Sequence, residues 1–514
     1  MGSKRTSPHP TGRFEHMEIV ATFRPAPGRD PAEELRHPPL GATRVELRAD
    51  LLGAAANLDA LVAASPLPVI ITLRSHAEGG EGPDDPTGRR RFFERLVMLP
   101  AAFLDLEAAR DRELLGELVP AERAILSAHY QDGVPADLEE RAAALLASGA
   151  RIVKLVPHAT SLDDALAVLR LAQALDRGPR DKRRAVVFAT GDAGRVTRLL
   201  APLLGAPLAF AAWDSARPAA PGQYSVEELS ALVGHLAGRP RRLFAVLGRP
   251  VAGSLSPRMH AAAYRALGLP HLFAPLEVAE AAQLDRLLRP AGESCLDEIG
   301  LPVGGFAVTM PWKAEAARRC TLLAPRAQRA NAANTVLPRP GKVLGDCTDI
   351  DGITRVLAEE GVDCSRARAL VLGAGSAARA AVVALQLGGA EVTVTARDAA
   401  KAQPLARSLG ATAVEVSASA RADVLVNATP AGGDGGATPF LEELRLPSGA
   451  VVVDLPYGPA PTFLAQLAAS RNWRYVGGRE VLLYQGVAQF AAMTGVAPPV
   501  RAMASAIGLE EAQG

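Results

Sequence analysis

Short apolar runs recur at regular intervals through the first part of the chain, and helical patterns separate most of them. The eight runs that predict β-strands are 18–23, 44–49, 68–74, 103–107, 123–129, 151–157, 185–191 and 207–213. Stretches rich in Ala, Leu, Glu and Arg lie between them with helical spacing, as at 136–147 and 161–175. Eight strand–helix units in roughly 210 residues predict a (β/α)₈ barrel. A doubly wound open sheet alternates in the same way, but this half lacks a glycine fingerprint.

The pattern changes near residue 240. A helical stretch that begins soon after Gln223 ends in 238–242, and a new apolar strand follows at 243–248. Glycine, proline and arginine residues at this joint predict a short connection between two domains. The basic run at 177–184 is interpreted as a solvated loop before the seventh strand.

Composition limits the function classes. A chain of 514 residues is longer than a single domain with one hydrophobic core usually is, so we expect two or three domains. A hydrophobic fraction of 48% is typical of a soluble globular protein, and a net charge of +1 gives no electrostatic reason to expect nucleic acid or membrane as a partner. Cys295, Cys320, Cys347 and Cys364 are scattered, so no disulfide frame or metal site is predicted, and a reducing cytoplasm fits. The polar start lacks a signal sequence, and residues 1–16 are predicted to be disordered.

Charged residues interrupt several of the predicted buried strands near their C-terminal ends. They are Glu46, Arg48, Arg74, Asp105, Glu107, His129 and Lys154. Because the C-terminal strand ends of a barrel form one rim, these side chains should converge. Glu46 and Arg48 are two residues apart and are expected to be buried as a pair. For Lys154 two interpretations stay open: an ammonium that snorkels from a strand end, or a desolvated amine that forms a Schiff base with a carbonyl.

The same segment, 17–235, resembles type I 3-dehydroquinate dehydratase. The matching pieces are E-L-R (46–48), L-R-S-H-A-E-G-G-E (73–81), His129, I-V-K (152–154), G-R-V-T-R (194–198) and A-P-G-Q (220–223). The resemblance implies that Lys154 forms an imine with the ketone of 3-dehydroquinate, and that His129, assisted by Glu78, is the general acid and base. It implies a substrate lining of Glu46, Arg48, Arg74, Arg198 and Gln223. Ala219 stands where the family usually has serine, which should weaken substrate binding.

A nucleotide-binding pattern lies at 369–380, A-L-V-L-G-A-G-S-A-A-R-A, and a second strand follows at 391–397. The glycines permit a tight turn and bring backbone N–H groups to a pyrophosphate at a helix N-terminus, although Ala378 replaces the third glycine of the fingerprint. Arg397 and Lys401 after the second strand favour the 2′-phosphate of NADP, while Asp398 leaves NAD open. From this pattern alone, a nucleotide fold without catalytic use is an alternative.

The surrounding segment, 243–510, resembles shikimate dehydrogenase. The matching motifs are G-S-L-S-P (253–257), F-A-V-T-M-P-W-K (306–313), A-A-N-T-V (332–336), G-D-C-T-D-I-D-G (345–352), V-N-A-T-P (426–430), V-V-V-D-L-P-Y (451–457) and E-V-L-L-Y-Q-G (480–486). The resemblance implies that Lys313 gives a proton to the ketone oxygen and that Asp349 orients it. Implied substrate contacts are Ser254, Ser256, Thr309, Asn334, Tyr457 and Gln485. Implied cofactor contacts are Gly373, Ala374, Gly375, Ser376, Ala377, Arg397, Lys401, Asn427, Ala428, Thr429 and Gly478.

Three positions depart from this family. Ala307, Cys347 and Ala396 stand where asparagine is usual. The first two should alter loop support near the pocket and the third an adenosine contact, so the preference for shikimate or quinate stays open.

Together the resemblances imply a cytoplasmic bifunctional enzyme of aromatic amino-acid biosynthesis, a lyase joined to an NADP-dependent oxidoreductase, with small-molecule substrates and no metal. The implied organisation is a leader (1–16), a TIM barrel (17–238), a substrate lobe (242–350), a Rossmann-like NADP lobe (351–478) and C-terminal helices that return to the substrate lobe (479–514). A quinate dehydrogenase that prefers NAD is one alternative. A regulatory protein that keeps both folds without catalysis is another, and intact Lys154, His129, Lys313 and Asp349 argue against it.

Overall fold

The computed structural model describes residues 17–52, 56–175 and 183–509. The predicted leader at 1–16 and residues 177–182 of the basic run lie outside the described residues. The described chain divides into two compact units, the first running to Arg242 and the second made mainly of the residues from Leu243 onward.

The first unit contains the eight predicted strands. They are β1 (Glu18–Phe23), β2 (Arg44–Arg48), β3 (Val69–Thr72), β4 (Phe103–Glu107), β5 (Ala124–Tyr130), β6 (Ile152–Pro157), β7 (Ala185–Val187) and β8 (Leu208–Ala212). All their ladders are parallel, and β1 pairs with both β2 and β8, which gives the order β7-β6-β5-β4-β3-β2-β1-β8. The predicted TIM barrel is therefore confirmed.

The helices of this unit cover the barrel. They are α1 (Pro31–Leu35), α2 (Leu58–Ala64), α3 (Pro86–Leu96), α4 (Leu138–Leu146), α5 (Leu162–Leu175), α6 (Arg195–Leu200) and α7 (Val226–Val233). Local sequence explains where several of them begin: Asp85 accepts a hydrogen bond from Gly88 N ahead of α3, and Ser225 forms a capping box with Glu228 ahead of α7. Because helices cover the outside and side chains fill the inside, every residue of β6 is buried.

A mixed sheet follows the barrel along the chain. Its strands are β9 (Arg242–Gly248), β10 (His271–Glu277), β11 (Val303–Val308), β12 (Leu322–Leu323), β13 (Thr335–Arg339) and β14 (Lys342–Asp346), in the order β10-β9-β11-β13-β14-β12. The accompanying helices are α8 (Ser256–Ala266), α9 (Leu284–Leu287), α10 (Lys313–Arg319), α11 (Pro325–Ala330) and α12 (Asp349–Glu359). The predicted helix that leaves this lobe at 349–360 is α12.

A parallel sheet follows. Its strands are β15 (Arg368–Leu372), β16 (Glu391–Thr395), β17 (Thr412–Ala413), β18 (Val424–Asn427), β19 (Val451–Asp454) and β20 (Arg474–Val476), in the order β17-β16-β15-β18-β19-β20. Its helices are α13 (Ser376–Leu387), α14 (Ala399–Leu409), α15 (Pro439–Glu442) and α16 (Phe463–Arg471). The strand order reverses between β15 and β18, and ligands of such sheets bind at the carboxyl ends of the strands beside that reversal.

The last helices are α17 (Gly478–Thr494) and α18 (Val500–Ala506). As predicted, α17 packs on the substrate lobe: its Gln489 Nε2 donates to Asn334 O at 3.0 Å. Within the described ranges, no helix combines the length and apolar character that are needed to cross a bilayer.

Candidate active sites

The side chain of Lys154 lies inside the barrel and is only 3% exposed. Its Nζ donates to Asp105 Oδ2 at 2.6 Å and lies 3.9 Å from Glu46 Oε1. The same nitrogen is 4.4 Å from the centroid of the Phe210 ring. The ammonium does not reach solvent, so the snorkelling interpretation is wrong.

Asp105 and Arg74 form the charged floor beside this lysine. Arg74 donates to Asp105 Oδ1 and Glu107 Oε1, each at 3.1 Å, and to Glu78 Oε2 at 3.0 Å. Burial by itself would raise the pKa of Asp105, but Lys154 and then Arg74 lower it to about 2. Asp105 is therefore an anion at neutral pH, and it balances two buried cations.

His129 and Glu78 form the second pair in this cavity. Glu78 Oε2 lies 2.9 Å from His129 Nδ1 and accepts the backbone N–H of His129 at 3.1 Å. Burial, reinforced by the positive charge of Arg74, holds the pKa of His129 well below its ordinary value. Burial also raises the pKa of Glu78 to about 7, against the attraction of Arg74. His129 is thus a neutral base at physiological pH, with one ring nitrogen oriented by a carboxylate.

The expected ion pair between Glu46 and Arg48 is not formed. Arg48 instead donates to Asp50 through Nε at 2.8 Å and Nη2 at 2.6 Å. Glu46 accepts the hydroxyls of Thr22 at 2.7 Å and Thr72 at 2.8 Å. Both residues do face the cavity. The pairing was wrong because Asp50, just beyond the end of β2, offers Arg48 both carboxylate oxygens.

These residues line a cavity of about 230 Å³. Its lining includes Thr22, Glu46, Arg48, Thr72, Arg74, Glu78, His129, Gln131, Lys154, Val156, His158, Phe188, Thr190, Arg198, Phe210, Ala219 and Gln223. Arg198 lies with its guanidinium carbon 4.5 Å from the Phe188 ring centroid, and its buried Nε has no hydrogen-bond partner among the described residues. Burial lowers the pKa of Arg198 to about 10, which still leaves a cation at neutral pH. A buried cation without a carboxylate of its own fits an anionic ligand group.

A second lysine–aspartate pair lies in the substrate lobe of the second unit. Lys313 is the first residue of α10, and its Nζ donates to Asp349 Oδ2 at 2.5 Å. Burial by itself would lower the pKa of Lys313, but the charge of Asp349 raises it. Asn334 Nδ2 donates to Asp349 Oδ1 at 2.9 Å and to Gln485 Oε1 at 3.1 Å. Lys313, Asp349, Asn334 and Gln485 therefore form one connected polar group.

The other substrate residues implied by the resemblance lie near this group or close to each other. Ser254 Oγ accepts the N–H of Ser256 at 3.3 Å. Burial raises the pKa of Tyr457. Hydrogen bonds with the backbone of Leu255 and the hydroxyl of Ser254, and the positive charge of Lys313, lower it by a smaller amount. Thr309 lies at the end of β11, and its N–H donates to Leu247 O at 2.8 Å.

Two of the departures from the family lie in the core of this lobe. Cys347 is fully buried, and its backbone N–H donates to Asp346 Oδ1 at 2.7 Å. Ala307 is buried on β11, opposite Thr335 of β13. Both occupy backbone positions that support the loop of Asp349 and the strand of Asn334.

The glycine turn of the second sheet lies between β15 and α13. Gly373 has φ +119°, and a Cβ there would lie 3.0 Å from Ala428 O. At Gly375 a Cβ would meet nothing within 4 Å. Ala374, Ser376 and Ala377 are half-buried around this turn, while Ala378 is fully buried against the helix–sheet core. The turn therefore leaves open the backbone face that an anion would approach.

The remaining residues implied for the cofactor fall into two groups. Arg397 and Lys401 are exposed after β16, and Lys401 Nζ lies 3.8 Å from Asp398 Oδ2. Asn427, by contrast, is fully buried and donates to Asp454 Oδ1 at 2.7 Å while it accepts from Thr429 Oγ1 at 2.7 Å. The side chain of Asn427 thus braces the loop that carries Ala428 and Thr429. Gly478 begins α17, where a Cβ would lie 2.2 Å from Leu455 O.

Protein-family models match most of the chain. Residues 29–239 match type I 3-dehydroquinase. Residues 246–336 match the shikimate dehydrogenase substrate binding domain, 356–433 match shikimate / quinate 5-dehydrogenase, and 478–507 match the shikimate 5'-dehydrogenase C-terminal domain. The chain belongs to both families. The first unit carries the match to type I 3-dehydroquinase, and the second unit carries the matches to shikimate dehydrogenase.

Curated relatives carry the two domains within longer chains. The pentafunctional AROM polypeptide of Kluyveromyces lactis is 29% identical over 506 residues, which are 91% of this chain and 31% of the relative. That of Malassezia globosa is 31% identical over 508 residues, which are 90% of this chain and 30% of the relative. The chain thus spans about a third of the length of these relatives.

Solved structures resemble the shikimate dehydrogenase alone or both domains. Shikimate 5-dehydrogenase from Thermus thermophilus, in complex with NADP(H) and shikimate, is 36% identical and covers 52% of this chain, with 98% of its own chain matched and a TM-score of 0.47. The dehydroquinate dehydratase and shikimate dehydrogenase from S. pombe AroM is 23% identical, covers 96% of this chain and 98% of its own, and has a TM-score of 0.42.

Several residues of the 3-dehydroquinase cavity were not predicted as site residues. Asp105, the direct partner of Lys154, was noticed only as a charge in a buried strand. Its isolation in F-L-D-L-E was the available signal, because a buried carboxylate requires a cation. Thr22, Phe188 and Phe210 carried no such signal, since a threonine or phenylalanine in a strand is ordinary core.

Proposed function

We propose that the chain is a bifunctional enzyme that dehydrates 3-dehydroquinate to 3-dehydroshikimate and then reduces this ketone to shikimate with NADPH. The observation that carries the proposal is Lys154, 3% exposed at a cavity that is also lined by the His129–Glu78 pair. Membership of both families supports the order of the two reactions, since the product of the first is the ketone that the second reduces.

In the dehydration, neutral His129 takes a proton from the Lys154 ammonium, and the free amine attacks the ketone carbon. Loss of one water gives an imine, which takes that proton back from His129. The protonated imine draws electrons from the neighbouring carbon, so His129 removes a proton there. Glu78 holds Nδ1 of His129 and stabilises the imidazolium that forms. His129 returns the proton to the leaving hydroxyl, which departs as a second water. Hydrolysis consumes one water and restores Lys154, so the net change is loss of one water.

The polar lining positions the substrate during these steps. Arg198, whose guanidinium has no carboxylate partner among the described residues, binds the substrate carboxylate. Glu46, Arg48, Arg74 and Gln223 bind the ring hydroxyls; Gln223 Nε2 is itself 3.2 Å from Thr22 Oγ1. Phe188 and Phe210 exclude water, which strengthens the electrostatic interactions of the cavity.

In the reduction, Lys313 holds a proton at the ketone oxygen and Asp349 holds the ammonium in place. Asn334 orients Asp349 and reaches Gln485, so the hydroxyl-binding residues and the proton donor share one network. Ser254, Ser256, Thr309 and Tyr457 bind the carboxylate and hydroxyls of the substrate.

The residues after β15 and β16 fit NADP. The open face at Gly375 and the N-terminus of α13 suit a pyrophosphate, and the exposed Arg397 and Lys401 suit a 2′-phosphate. Bound NADPH supplies the reducing equivalent. Ala374, Ser376, Ala377 and the loop 427–429 would hold it at the carboxyl ends of the strands.

Two measurements test the proposal. Borohydride reduction in the presence of 3-dehydroquinate should add the mass of the reduced adduct to the peptide that contains Lys154, and an unchanged mass would refute the imine. Initial rates with shikimate or quinate, each with NADP or NAD, should be highest with shikimate and NADP. Higher rates with quinate and NAD would assign the second unit to the alternative reaction.

A further inference from the structure

His158 and Thr190 form a polar pair in the 3-dehydroquinase cavity that the proposed mechanism does not use. His158 follows Lys154 and Val156 at two-residue spacing along the same strand direction, and all three line the cavity. At about 3.3 Å per residue, the Cα of His158 is ~13 Å further along the strand than that of Lys154. His158 therefore lines the cavity further toward the C-terminal ends of the strands than Lys154 does.

The ring of His158 is held in one orientation. The backbone N–H of His158 donates to Tyr130 O at 2.9 Å, and the backbone N–H of Thr190 donates to Pro157 O at 2.9 Å, which extends the β-ladder past the ends of β6 and β7. His158 Nδ1 lies 3.1 Å from Thr190 Oγ1. Gly191, with φ +84°, leaves room for the ring, because a Cβ there would lie 2.9 Å from His158 Cε1. His158 Nε2 has no hydrogen-bond partner among the described residues.

The loop with Ala219 lies beside this pair. A Cβ on Gly222 would lie 3.3 Å from Gly191 O and 3.5 Å from Arg195 Cβ, so the loop packs on the segment that carries Thr190. The side chain of Ala219 offers the cavity no hydroxyl. Arg198, Gln223 and the His158–Thr190 pair are among the polar groups that line the same cavity as Ala219.

We propose that His158, held by Thr190, is a specificity-determining hydrogen-bond donor to the carboxylate end of the dehydratase substrate, and that it supplies the contact that Ala219 cannot make. The inference rests on the proposed dehydratase function. In the proposed arrangement the Thr190 hydroxyl donates to Nδ1, so that Nε2 carries a ring proton and points a donor at the ligand. Arg198 supplies the positive charge for the carboxylate, and the N–H of His158 supplies a hydrogen bond of fixed direction. Together they favour a ligand with a carboxylate beside a hydroxyl over a ring that lacks this group.

The test compares matched variants in the dehydratase assay of the full chain. His158→Ala should raise KM for 3-dehydroquinate about tenfold with kcat changed less than about twofold, because a hydrogen bond to a charged group is lost while the imine chemistry remains. Thr190→Val should raise KM about threefold, whereas Thr190→Ser, which keeps the hydroxyl, should restore the original value. Ala219→Ser added to His158→Ala should recover most of the lost affinity.

Two controls make the outcome decisive. Shikimate oxidation by the same preparations should stay unchanged, and His37→Ala, a histidine substitution at an exposed position outside the cavity, should not alter KM. Equal KM values for His158→Ala and the unmodified chain, or a loss of kcat alone, would overturn the inference and leave the proposed function intact. An unmodified chain that does not dehydrate 3-dehydroquinate would overturn both.

Discussion

Replacing Asp105 by asparagine keeps the size of the side chain but removes the anion that lies between Lys154 and Arg74. Asp105 is 1% exposed and receives Lys154 Nζ at 2.6 Å and Arg74 Nη2 at 3.1 Å. In the variant, both cations keep their burial and lose this partner. We expect lower stability of the barrel and slower imine formation, because the amine that must react is no longer oriented.

The pKa of Asp105 gives the magnitude. Burial opposes ionisation, but Lys154 and Arg74 lower the pKa from 3.8 to about 2. At ~1.36 kcal/mol per pKa unit, the interactions of the anion contribute about 2 kcal/mol to folding at pH 7. Because the folded value is the lower one, this stability is present above the unfolded value and is lost as the pH falls through about 2. At pH 3 roughly half of it remains.

Hydrogen exchange followed peptide by peptide measures this difference within the barrel. Peptides from β4 to β6 of Asp105→Asn should open more easily than those of the unmodified chain by about 2 kcal/mol at pH 7 and by about half of that at pH 3. Asp137→Asn, which neutralises an exposed carboxylate paired with Arg141, should behave like the unmodified chain. Equal protection of Asp105→Asn and the unmodified chain at pH 7, or a difference of the same size at both pH values, would refute the reasoning.

Four further outcomes follow from the two sites. Lys154→Met should abolish dehydration and leave shikimate oxidation unchanged; dehydration that persists would exclude the imine. Since burial raises the pKa of Glu78 to about 7, kcat/KM of dehydration should fall as the pH drops through 7, and Glu78→Gln should be slower but lack this step in its pH profile. Lys313→Met should lower kcat of shikimate oxidation by ~10²–10⁴ with dehydration intact, and a change of KM alone would contradict its role as proton donor. Arg326 donates to Asp346 at 2.8 Å and to Asp351 at 2.7 Å, on either side of Asp349 in the sequence, and so holds the loop of Asp349 in place. Arg326→Leu should therefore slow shikimate oxidation several-fold without a loss of dehydration. Equal rates of shikimate oxidation would show that the loop does not need these contacts.

Much of the fold could be predicted from local patterns in the amino-acid sequence. The alternation of apolar runs with helical stretches predicted eight barrel strands close to their observed bounds, because a buried parallel strand needs a continuous apolar run and the period is local. It also identified Lys154 as exceptional, since a charge in such a strand has no solvent to reach. The glycine pattern was local as well: the turn with Gly373 and Gly375 lies between a strand and a helix, as predicted.

The pairing of the charged side chains could not be predicted before the strands were placed in space. Lys154 pairs with Asp105, which lies 49 residues away in the sequence, and Arg48 forms its ion pair with Asp50 rather than with Glu46. Asn427, expected at the cofactor, turns inward to Asp454, and His158 meets Thr190 across two neighbouring strand ends. Sequence patterns report which face of a strand a residue occupies, whereas hydrogen bonds depend on distances of about 3 Å between strands that are neighbours in space. Those distances follow from barrel closure and sheet order, which bring together residues that no local pattern connects.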